Sequence, residues 1–259
     1  MLPFVLALAL LQEPDDAIRA AVEKGVTLPA AEEIEGWAKK GEHYKRAVAI
    51  VVDRANWARA VAALAARTGL WKGTLEIRVA FRELKEHPAM GNGAAGKGEI
   101  AFDIEKLAKY QKSIMDYERL KEKTVVVVPP ARPELILHHE LTHCFQSLKQ
   151  PLWFLEGIAT YVAGDGHFVA FFKHDGVKVR EVDAEYEHRH LYARGWAFLE
   201  FVRARHGEEA VRKLAGLAMA EGKPLEQSAA EATGTAWEAL RAQEREWSAK
   251  WIAAYKVRK

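Results

Sequence analysis

The sequence predicts an α+β fold, with a small mixed β-sheet and helices in the N-terminal half and a mainly helical C-terminal half. Three observations carry this reading. Apolar runs of strand character, at residues 47–52, 74–81 and 124–128, all fall before residue 130. Polar stretches with helical apolar spacing separate them. From residue 152 onward most apolar residues recur three and four apart, and strand character fades. The chain has 259 residues, 49% of them hydrophobic and 29% charged, which is an ordinary globular composition able to bury a core. Its formal charge of +2 comes from basic and acidic residues interspersed throughout. Nothing there makes a nucleic-acid footprint, and the basic residues 256–259 are a solvated tail.

Residues 1–11 are apolar and residues 12–16 turn abruptly polar. The run is too short to span a bilayer as a helix, and no other stretch suggests a stable membrane span. It has the look of a signal-peptide h-region, although a basic leader and a clean cleavage site are missing. Export to the periplasm, cell surface or medium is the expectation, and a buried N-terminal segment in a cytoplasmic protein is the alternative. After residues 1–13, residues 14–250 read as one domain. An α/β part (14–132) and a helical part (133–259) would meet at a cleft.

Residues 14–40 read as two short helices broken near Thr27-Leu28-Pro29, the second ending at Lys39-Lys40-Gly41. The continuous β-branched run 47–52 predicts a buried strand. Asp53 can cap a helix over 54–67 that stops at Thr68-Gly69. Residues 74–81 alternate like a half-buried strand. The glycine-rich stretch 90–98 invites a phosphate cradle, but no helix opens after it and no Gly-Lys-Ser/Thr is present. A flexible turn into a strand at 99–102 fits better. A surface helix follows at 104–123, then a buried strand at 124–128 that stops at Pro129-Pro130. Further on, 169–172 and 177–182 read as a hairpin around Asp175-Gly176. Helices follow at 186–205, 208–220, 224–232 and 235–254. Trp196, Trp237, Trp247 and Trp251 sit at helical spacing and belong to the core.

The functional signal lies in residues 133–148. Pro133 and Glu134 suit a first helical turn, and Leu137, Leu141, Phe145 and Leu148 recur at near-helical spacing. On that helix His139 and His143 are four residues apart, so both imidazoles leave one face. Two imidazoles so placed can each reach one Zn²⁺ at about 2.0–2.1 Å. Glu140, about 100° round from His139, can reach water at the metal without being a ligand, as a general base must. Glu156, on a second helix after a short loop, would complete three ligands and leave the fourth position open. The only cysteine, Cys144, points about 100° away from His143 and reads as packing.

His139-Glu140-Leu141-Thr142-His143 followed by Trp153-Phe154-Leu155-Glu156-Gly157-Ile158-Ala159-Thr160-Tyr161 resembles the gluzincin zinc metallopeptidases, most closely the compact peptidase MA-like families. These carry H-E-L-T-H and then W-x-x-E-G-x-A-x-Y. The likeness is strong at 138–161 and looser over 45–250, where Ala94-Ala95-Gly96 and the helical tail from Tyr192 to Leu240 share in it. It implies a zincin-like fold holding one Zn²⁺ on His139, His143 and Glu156. Glu140 would be the base, and Tyr192 the donor to the developing oxyanion, with His188 or His190 as substitutes. The substrate would be a peptide or protein, paired beside the cleft with the edge of the strand at 99–102 that follows the glycine-rich stretch. One position departs from the thermolysin-like pattern. An acidic residue there, one turn after the glutamate ligand, orients a zinc histidine, and here it is Thr160. Two other readings stay open: a zincin-fold module that binds peptides or partners without turnover, and a structural domain without metal.

Overall fold

The computed structural model describes residues 14–121, 133–164 and 188–254. The apolar segment 1–11, the expected strand at 124–128 and the expected hairpin at 169–182 lie outside the described residues. What is described is mixed α and β, as the sequence predicts. None of these helices is long and apolar enough to cross a membrane.

Helix α1 (Asp16–Gly25) starts where the Asp15 carboxylate accepts the Ile18 N–H at 2.8 Å. Strand β1 (Val26–Thr27) occupies the predicted break, and α2 (Ala31–Ala38) follows it. Helix α3 (Glu42–Val52) overturns the strand expected at 47–52. Ala47, Val48 and Val51 are buried while Ala49 is exposed, which is a helical stripe and not an alternation. Only Asp53 separates α3 from α4 (Arg54–Thr68), and its carboxylate accepts the Ala55 N–H. Trp57 is fully buried on α4, and its indole N–H donates to the Val51 carbonyl at 2.6 Å, locking the corner between the two helices. Gly69 ends α4 in the left-handed conformation, as predicted.

Strands β2 (Glu76–Phe81), β3 (Ala89–Ala94) and β4 (Lys97–Phe102) join β1 in a sheet of order β1-β2-β4-β3. The first three in that order are parallel, and β3 runs antiparallel along the edge. The glycine-rich stretch is therefore itself a strand, paired with β4 from Ala89↔Phe102 to Ala94↔Lys97. The two strands turn at Ala95 (φ 52°) and Gly96 (φ 81°), both left-handed, as a two-residue hairpin requires. Ile100 and Phe102 on β4 are buried between β2 and β3. The cleft-side edge expected from residues 99–102 is thus supplied by the preceding strand.

Asp103 joins β4 to α5 (Ile104–Lys121). Its carboxylate accepts the N–H groups of Leu84 and Lys106, both at 3.0 Å, and the Lys106 ammonium at 2.7 Å. Burial pushes this carboxyl up, but the bonds and charge of Lys106 and the Leu84 N–H outweigh it and hold it below its ordinary 3.8. A depressed carboxyl stabilises the fold above its unfolded pKa, and that contribution is lost as pH falls through the folded value. Asp103→Asn should therefore lower stability by about 1–2 kcal/mol at neutral pH. Denaturant melts should show the gap to wild type closing below about pH 4. An unchanged gap at acid pH would contradict this account.

The described residues of the second half form α6 (Pro133–His143), α7 (Leu152–Ala163), α8 (His188–His206), α9 (Glu208–Ala215), α10 (Leu225–Thr233) and α11 (Trp237–Ala254). The sequence reading takes 208–220 as one α-helix, but Gly216–Ala220 is wound as a π-helix. The buried Gln150 amide donates to the carbonyls of Ala218 (2.8 Å) and Lys223 (2.9 Å), fastening the α6–α7 loop there. Trp196 is buried, while Trp153, Trp237 and Trp247 pack half-buried around Phe198 and Phe201. Those placements agree with the core reading, and the Trp251 side chain lies outside what is described.

Candidate metal centre

Helices α6 and α7 bring the sequence-predicted ligands together. His139 Nε2 lies 3.1 Å from Glu156 Oε2, and His143 Nε2 lies 3.7 Å from the same oxygen. The two imidazole rings are 4.9 Å apart. One donor atom from each residue falls within 4.8 Å of the others, which among the described residues happens for this trio alone. Tetrahedral ligation at about 2.0–2.2 Å places donor atoms roughly 3.3–3.5 Å apart, so the two measured distances bracket what a metal needs. Two imidazoles with one carboxylate form a donor set suited to a transition dication and poor for calcium or magnesium. His139 is buried. Burial opposes its charge, yet the Glu156 hydrogen bond and the Glu140 and Glu156 carboxylates hold its pKa above the ordinary 6.5. Any cation held there would compete with protons for these nitrogens, so its binding would weaken toward low pH.

Glu140 stands on the same helix and makes no part of the trio. Its Oε2 accepts the Gly91 N–H of β3 at 2.7 Å. The strand approaches so closely that a Cβ at Gly91 would lie 2.1 Å from the Glu140 carbonyl oxygen. At the hairpin turn, the Gly96 N–H donates to the Cys144 carbonyl at 2.9 Å. The sheet edge is thus bonded to both ends of the two-histidine segment. Glycine is what permits the contact, since any side chain at 91 would push β3 off α6. Cys144 is fully buried and its thiol is pushed up to about 12, mainly by burial. It is packing and not a thiolate.

Tyr192, from α8, brings its ring to 5.6 Å from that of His139. Burial and then the charges of Glu156 and Glu140 raise its pKa well above the ordinary 10, and its hydroxyl donates to Glu156. The phenol is therefore a protonated donor at the edge of the trio. His188 and His190 lie in the first turn of α8, and their side chains are outside what is described. Among the described residues Thr160 Oγ1 is buried without a hydrogen-bond partner, and it orients neither histidine. Gln146, which sequence reasoning passed over, takes that role for His143: its Oε1 lies 2.7 Å from His143 Nδ1. Its only sequence signal is a position three residues after the histidine.

A cleft of about 240 Å³ opens over the trio, bounded by β3, α6 and the start of α7. Met90, Leu148 and Leu152 line it at 52%, 76% and 51% exposure. A wider depression of about 600 Å³ lies at the opposite sheet edge, beside Lys24, Thr27 and Arg78. It is larger, but the His139, His143 and Glu156 trio lies in the smaller cleft. Comparison with protein-family models, with curated proteins and with solved structures finds no match.

Proposed function

We propose that this chain is a zinc-dependent metallopeptidase of gluzincin type, with a zincin-like fold, that hydrolyses bonds within a peptide or protein. The observation that carries the reading is the placing of Glu140 beside, but outside, a complete two-histidine, one-glutamate donor set. A zinc ion on His139, His143 and Glu156 would supply Lewis acidity toward water and the scissile carbonyl. With Oε2 held by the Gly91 N–H, Glu140 keeps its other oxygen to take the proton of the attacking water. The same carboxylic acid then returns that proton to the leaving amine. Tyr192, kept protonated, donates toward the carbonyl oxygen as negative charge develops there.

Among the described residues β3 is the outermost strand of the sheet, and apart from the Gly91 N–H that Glu140 holds, its backbone gives an extended substrate a strand to pair with. Aliphatic residues at the rim favour bulky apolar side chains near the cleaved bond, so such peptides head any screen. The test begins with metal analysis. Wild type should carry close to one zinc per chain, and His143→Ala only a small fraction of that. Wild-type occupancy in the variant would show the site to be misassigned. A wild-type chain that neither carries nor takes up zinc would favour the structural domain without metal.

A further inference from the structure

The α6 helix ends by tightening. Cys144, Phe145 and Gln146 donate their N–H groups three residues back, to Leu141, Thr142 and His143. In such 3₁₀ winding, side chains three apart eclipse one another, which sets the Gln146 side chain beside His143. Gln146 is 2% exposed, and both ends of its amide are used. The Nε2 group donates to the Leu155 carbonyl at 2.7 Å, and Oε1 faces His143 Nδ1 at 2.7 Å. The opposite amide orientation would press two oxygens together at Leu155, so the backbone decides which way the amide points. With an acceptor facing Nδ1, His143 must carry its proton on Nδ1. Its bare nitrogen is then Nε2, the atom 3.7 Å from Glu156 Oε2.

We infer that Gln146 is a positioning residue that links the tautomer of one proposed ligand, His143, to the placement of another, Glu156, through the Leu155 carbonyl. The inference rests on the metal-centre reading above for its purpose, but not for its geometry. Leu155 immediately precedes Glu156, so one buried amide ties the end of α6 to the turn of α7 that presents the carboxylate. It holds the Nε2 lone pair and the carboxylate toward one point before any cation arrives. Such outer partners commonly contribute 10–100-fold to metal affinity.

The experiment uses the full chain with zinc as the probe. Gln146→Met keeps the length and removes both bonds. Its zinc Kd, from chelator competition, should rise on the order of 10–100-fold. Nitrogen NMR of the metal-free chain at about pH 8.5, where an ordinary imidazole is neutral, should show His143 as the Nδ1–H tautomer in wild type. In Gln146→Met it should move toward Nε2–H. Gln146→Glu keeps an oxygen for Nδ1–H but sets another against the Leu155 carbonyl, so it should preserve the tautomer and still weaken zinc. A wild-type His143 protonated on Nε2, or an unchanged zinc Kd in Gln146→Met, overturns the inference. A wild-type zinc Kd in Gln146→Glu overturns the link to Glu156. If wild type binds no zinc, the metal reading fails, and the tautomer measurement still decides whether Gln146 sets His143.

Discussion

Replacing Glu140 by glutamine is expected to lower kcat by 10²–10⁴-fold while leaving zinc content and thermal stability nearly unchanged, since that is the usual worth of a positioned general base. The amide keeps the size of the carboxylate and an oxygen for the Gly91 N–H, so the contact between β3 and α6 survives. What it loses is the ability to take a proton. Glu156→Gln should behave differently, because its oxygen lies 3.1 Å and 3.7 Å from the two histidine nitrogens and supplies charge to the centre. That variant should lose zinc as well as turnover. Steady-state kinetics with a peptide from an apolar-biased screen, alongside metal analysis of each variant, separates the two roles. Cleavage by Glu140→Gln at the wild-type rate, with zinc bound, would refute the mechanism. A wild-type chain that binds zinc and screened peptides but turns over none would point to the binding module.

The legible parts of this chain are those where local chemistry decides. Asp53 and Gly69 bracket α4 because a cap and a left-handed stop act within one turn. His139, Glu140 and His143 fall on one helix by spacing alone and Glu156 is the carboxylate offered by the next, whereas Tyr192 is singled out only by the resemblance. Residues 47–52 misled because six apolar residues fit a buried strand and one face of a helix equally well. Burial of Ala47, Val48 and Val51 and the Asp53 corner settle it as a helix. β3 was illegible for a different reason. Its Gly91 and Gly93 offer no side chains to read, because the strand exists to bring backbone against α6. Gln146 acquires its role only through the tight winding after His143 and a carbonyl nine residues on, neither of which a periodicity reveals.

Gly195→Ala is expected to destabilise the protein by about 3 kcal/mol, a loss near the top of what overpacking produces. Helix propensity alone argues the other way, since alanine is favoured over glycine inside a helix by about 1 kcal/mol. Geometry decides between them. Helices α7 and α8 cross at Gly157 and Gly195, where a Cβ built on Gly195 would lie 2.2 Å from the Trp153 carbonyl oxygen and 2.3 Å from the Gly157 Cα. Both obstacles are backbone, so relief requires the helices to separate. Glu156 sits next to one glycine and Tyr192 one turn before the other, so the crossing also sets how closely the phenol approaches the trio. Gly36 on α2 provides the control, because a Cβ there meets nothing within 4 Å. Gly36→Ala should stabilise by about 0.5–1 kcal/mol. Thermal melts should therefore move in opposite directions for the same chemical change, with Tm falling roughly 10 °C at position 195. Zinc affinity should fall with it, through displacement of Glu156. A Gly195→Ala protein as stable as wild type would mean that α7 and α8 do not cross as closely as this.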